Sequence, residues 1–102
     1  MLDPYHVQVD TTDLAELTRA LQLLDTHADL NDRYRKMLHE SLAQLAEPQI
    51  RLTQARGLAK RLMVLLKAAG PDLEADLPPE ARVTLEAGRA QADDLVFRPD
   101  DT

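Results

Sequence analysis

Leucines and alanines recur along most of this chain at intervals of three and four, the spacing that gathers side chains on one face of a helix. The first such stripe is Leu14, Leu17, Leu21, Leu24 and Ala28. Thr12 or Asp13 can cap it, and Asp13 with Glu16 three residues later resembles a capping box, so a helix is expected over about 12–27. Leu23 falls off this stripe and reads as exposed. Ahead of it, HVQVDTTDL alternates Val7 and Val9 with polar residues, as a short strand would. A lone strand has no evident mate in an otherwise helical chain, so residues 1–11 read as an extended arm.

His27 to Asn31 read as a turn, with Asp29 or Asn31 capping the next helix. From there the stripe runs Tyr34, Leu38, Ser41, Leu45, Pro48, Leu52, Ala55, Ala59, Leu62, Leu66, Ala69 without a break. Met37, Leu42, Leu58 and Leu65 widen it, which implies more than one neighbour. Pro48 sits inside the stripe without shifting its register. The surrounding LAEPQIRL has no loop residues, and Glu47 is a poor cap for a fresh helix. The spacing therefore predicts one kinked helix over about 31–69, roughly 58 Å long at ~1.5 Å per residue. The alternative is a corner at 47–48, which turns the chain into a four-helix bundle.

Lys67, Gly70 and Pro71 form a clear stop. PDLEADLPP reads as a connector with room for one helical turn, and Pro79 suits the first position of a last helix over about 79–96. The inner stripe of that helix is Ala81, Leu85, Gly88, Ala92 and Leu95, in which Gly88 and Ala92 admit a close backbone. Residues 98–102 read as a frayed tail. The fold class is thus all-α, a single domain over 1–102, with a central helix kinked at Pro48 and two shorter antiparallel helices packed on it.

Composition sharpens this picture. Of 102 residues, 44% are apolar, mostly leucine and alanine, and the aromatics are Tyr5, Tyr34 and Phe97. That mixture favours helices over strands, and a core without large rings is thin enough to make a partner or self-association expected. The absence of cysteine excludes disulfides, thiolate metal sites and a cysteine nucleophile. No run of eighteen apolar residues occurs to span a membrane, and MLDPYHVQVD has no signal-peptide pattern, so a cytoplasmic or virion location is expected.

The net charge of −6 is unevenly spread. Residues 1–32 carry seven acids against one base, 33–67 eight bases against two acids, and 68–102 nine acids against three bases. Two acidic arms flanking a basic middle favour arms folded back onto it.

Candidate chemistry is sparse. His6, His27 and His39 share no metal-ligand spacing, and Ser41 lies on the inward stripe, where its hydroxyl can bond back to its own helix. Asp93–Asp94 and Asp100–Asp101 lie near a chain end without the preorganisation that acid–base chemistry needs, and Gly57, Gly70 and Gly88 are isolated. No catalytic, cofactor or metal residues follow, no small-molecule substrate is indicated, and a non-enzyme is expected. From Arg51 to Lys67 there are five bases and no acids, with Arg56, Lys60 and Lys67 on one helical edge. Overall acidity, no interleaved aromatics and no helix-turn-helix pattern argue against nucleic acid and for pairing with the acidic arms. A second stripe, Ile50, Gly57 and Val64, recurs every seven residues off the main face and reads as a surface for a partner or a second copy.

The stretch from Val7 to Ala59 resembles the opening half of phage minor tail, or tail-completion, proteins. The matching positions are Val7, Val9, Asp10, Leu14, Leu17, Leu21, Leu38, Leu42, Leu45 and Pro48. The resemblance implies an oligomeric component of virion assembly. The chain length and the leading VQVDTTDL also look somewhat like small helical hairpins of type VII secretion, although their tryptophan–x–glycine turn is absent. The expected function is therefore a non-catalytic interaction or assembly protein binding itself or another protein, with a secreted hairpin or a small inhibitor as the alternative.

Overall fold

A computed structural model describes residues 7–70 and 72–98. The expectations placed on 1–6, on Pro71 and on 99–102 fall outside them. Within them the chain is predominantly helical, as its leucine–alanine stripes require. Strand β1 (Gln8–Asp10) leads into a 3-10 turn (Thr11–Leu14) and helix α1 (Ala15–His27). Helix α2 (Asp32–Leu45), strand β2 (Gln49–Arg51) and helix α3 (Leu52–Ala69) follow, then the single-turn α4 (Asp72–Asp76) and α5 (Pro79–Phe97).

The all-α class holds, but the kinked spine does not. Helix α2 ends at Leu45, its last turn tightening through Ala46 N–H to Ala43 O and Glu47 N–H to Gln44 O, each at 3.2 Å. Pro48 has no N–H to continue the ladder and disfavours helical geometry at Glu47. Residues 49–51 then run extended and pair antiparallel with β1, Val9 opposite Ile50. The backbone N–H of Leu52, the first residue of α3, donates to the O of Val7, the residue just ahead of β1, which takes the place of the missing side-chain cap. The longest dimension of the molecule is 45 Å, shorter than the spine the spacing predicted. Four long helices around a corner at 46–48 match the alternative bundle.

The same pairing corrects the extended arm. Val9 does belong to a strand, with Val7 just ahead of it, and the mate is β2, some 40 residues downstream. The predicted stripe holds at Leu45 and Leu52, on either side of the corner, but not between them: the strand buries Ile50 between exposed Gln49 and Arg51, and Pro48 itself is exposed.

Most other local signals hold. Asn31 caps α2 by accepting from Tyr34 N–H at 3.1 Å, Gly70 ends α3 with φ +87°, and Pro79 opens α5. Ser41 is buried and donates to Met37 O at 2.8 Å. Leu23, expected exposed, is half-buried against the core. The first helix begins later than expected, because Asp10 accepts from Thr12 N–H and the chain makes a 3-10 turn before Ala15.

Two polar contacts position the helices. Arg35 donates to Asp25 O (3.1 Å), Asp25 Oδ1 (3.0 Å) and Ala28 O (2.9 Å), capping the C-terminal end of α1 from α2. Gln91 on α5 reaches the start of α1, where its Oε1 accepts from Leu17 N–H at 2.7 Å and its amide nitrogen donates to Asp13 O. Those two backbone groups would bond each other in an uninterrupted α-helix, so the Gln91 amide is inserted where the 3-10 turn meets α1. Gln91→Leu leaves both without that partner and is expected to cost about 1–3 kcal/mol. Chemical denaturation measures the loss, and faster exchange of the Leu17 amide localises it.

Candidate interaction surfaces on α3 and α5

The residues singled out in the sequence separate in space. Ile50, only 1% exposed, is a core residue of β2 and is removed from the surface stripe. Gly57 is exposed, and a Cβ built on it meets nothing within 4 Å; Val64 is 46% exposed. At ~100° per residue, Thr53, Gly57, Val64 and Ala68 share an arc of about 60° on the outward side of α3, opposite Ala55, Ala59 and Leu62 in the core.

The expected basic face divides as well. Arg56 turns to the end of α5, donating from Nε to Leu95 O at 3.0 Å and from a terminal nitrogen to Arg98 O. It thereby serves carbonyls that the end of a helix leaves unpaired. Lys60 and Lys67 stay exposed on one edge of the outward arc, and Arg61 flanks the other. Pairing between the basic middle and the acidic arms occurs on α2, where Arg35 and His39 both approach Asp25, at 3.0 and 2.9 Å. Among the described residues, Arg51, Lys60, Arg61 and Lys67 of the basic run form no ion pair.

A feature missed in the sequence lies on α5. Directly opposite its buried stripe, Val83, Ala90 and Phe97 recur every seven residues; Val83 is 66% and Phe97 81% exposed. Exposed Glu86 and Asp93 border this seam on one side, Glu80 and Asp94 on the other. The spacing was legible, but the small Ala90 at its centre and the place of Phe97 beside the presumed tail hid it. The inward side behaves as expected: Ala81, Leu85, Gly88, Ala92 and Leu95 are all buried, and α5 packs mainly on α1 and α3.

Between α3, α4 and α5 lies a cleft of about 540 Å³ lined by Met63, Leu66, Leu73 and Leu85, with Lys67, Glu74 and Arg89 at its rim. Helix α4 forms one wall yet buries none of its own residues. It is held by Arg89 to Glu74 at 2.9 Å, and by Arg82 donating to Leu77 O (3.1 Å) and Ala75 O (3.2 Å).

Among the described residues, no three His, Asp or Glu side chains gather as a metal site would require, and no helix is long and apolar enough to cross a membrane. Comparison of the chain with family models, curated proteins and solved structures returned no match.

Proposed function

We propose that this chain is a non-catalytic interaction protein that works by assembly, binding through the outward faces of α3 and α5. One observation carries the reading: the two longest helices each leave an outward arc of small or apolar residues opposite the core, Gly57, Val64 and Ala68 on α3 and Val83, Ala90 and Phe97 on α5, and the charges beside the two arcs are of opposite sign. Apolar residues scattered singly need no explanation, whereas Val83, Ala90 and Phe97 aligned between rows of acids form a surface of the kind helices pack on. The resemblance of residues 7–59 to phage minor tail proteins supports a virion component as the first setting. The cleft beside Leu73 supports a second reading, an inhibitor or regulator that admits apolar side chains of a target between α3 and α4.

A photo-cross-linking amino acid placed at position 64 or 90 in the native cell tests the interaction reading. A discrete adduct is expected at both positions and none from exposed position 40 on α2. No adduct at 64, 90 or cleft-lining position 63 would sink it.

A further inference from the structure

We propose that the outward seam of α3 binds the outward seam of α5 on a second copy of this chain, the two helices antiparallel and in one defined register. The proposal rests on the interaction reading above and names its partner. The α5 seam repeats every seven residues, and Gly57 and Val64 on α3 are one such interval apart, so both residues can meet the seam over two turns. Aligned antiparallel, with Gly57 opposite Phe97, the same register puts Val64 opposite Ala90. Each pair then sets a larger side chain against a smaller one. The Phe97 ring, 81% exposed, faces the open space above Gly57, where a Cβ would touch nothing. Of the parallel alignments, one sets Gly57 against Ala90 and Val64 against Phe97, small on small and large on large. The other, Gly57 against Val83 and Val64 against Ala90, matches sizes but leaves the exposed Phe97 ring without the space above Gly57.

Charge decides between the size-matched alignments in favour of the antiparallel one. That register brings Lys60 level with Asp93 and Asp94, and Lys67 level with Glu86. Edges agree as well as levels. Lys60 and Lys67 lie about 40–60° to one side of their seam, and Glu86 and Asp93 lie by the same angles to the same side of theirs. Two antiparallel helices laid face to face bring those edges together, whereas parallel ones separate them. None of these four residues forms an ion pair within its own chain among the described residues. The contact joins two different surfaces, so it closes as a two-fold pair if reciprocal and as a ring or open chain if not.

Sedimentation velocity and light scattering on the purified chain, from micromolar to submillimolar concentration, test this. The expected mass exceeds one chain, rises with concentration and falls with added salt. Lys60→Glu with Lys67→Glu, and separately Glu86→Lys with Asp93→Lys, should each weaken assembly about tenfold or more, and all four changes in one chain should restore it. Gly57→Leu should weaken it to a similar extent without changing charge. All these sites are exposed, so circular dichroism should stay unchanged. An always-monomeric wild type, or assembly insensitive to either charge reversal, would overturn the pairing. A monomer that still gives an adduct of another protein's mass at position 64 or 90 would overturn the self-pairing alone, leaving the interaction reading intact.

Discussion

Gly88→Ala is expected to lower stability by about 2 kcal/mol, a fall of roughly 10 °C in the unfolding midpoint. A Cβ at this position would lie 2.7 Å from Glu16 O and closer still to Ala20 Cβ, both on α1. Real Cβ atoms essentially never approach so near, and the obstacle is backbone, so no rotamer change relieves it. Helix α5 has to move off α1, its principal neighbour, opening the leucine layer between them. Overpacking typically costs ~1–3 kcal/mol, and a clash against backbone lies at the top of that range, so the ~1 kcal/mol returned by the better helix propensity of alanine leaves a net loss of about 2 kcal/mol. Gly88→Val adds two further methyl groups to the same contact and is expected to abolish cooperative unfolding. Gly57→Ala supplies the control. It has the same chemistry in a helix but open space around it, and should gain about 0.5–1 kcal/mol in dilute protein. Thermal unfolding followed by circular dichroism separates the two, and equal midpoints for the two alanine variants would mean that α1 and α5 are not in contact at Gly88.

Ile50→Ala is expected to cost about 2–5 kcal/mol, the loss typical of a buried aliphatic side chain. Ile50 is 1% exposed and faces Val9 across the β1–β2 pair. Its truncation removes core contacts and loosens the strand pair that holds the neighbouring Val7 O against the first N–H of α3. Ile50→Val should cost only ~0.5–1.5 kcal/mol. Urea denaturation gives both values. A change below ~0.5 kcal/mol for the alanine variant would return Ile50 to the surface, where its seven-residue spacing from Gly57 had placed it.

The misplacement of Ile50 and the false kink have one cause. Periodicity reads each residue against its near neighbours, and a three-residue strand between two helices leaves the inward positions on either side of it in step while exchanging Pro48 and Ile50 between them. Leu45 and Leu52 are buried on either side of the corner as they would be along one helix. The missing information was the antiparallel pairing of Gln49–Arg51 with Gln8–Asp10, some 40 residues away in the chain. Val7 and Val9 carried the alternation of a strand, and only the absence of a visible mate argued against it. The basic edge was misread for a related reason. Arg56, Lys60 and Lys67 are equivalent on a helical wheel, but only Arg56 lies where the last carbonyls of α5 come within reach.

What the sequence by itself determined is the material of each element and most of its ends. Leucine–alanine stripes at three and four imposed the helices, Asn31, Gly70 and Pro79 set their limits, and Gly88 with Ala92 announced a close helix contact. These are local effects of backbone geometry, capping and side-chain size. Tertiary structure alone decided that Pro48 turns a corner and that Ile50 is core. It also decided that the Gln91 amide splits a backbone pair where the 3-10 turn meets α1, and that the outward seams of α3 and α5 are left open. Each depends on which distant segment arrives to accept a hydrogen bond or cover a face, and no local spacing encodes that arrival.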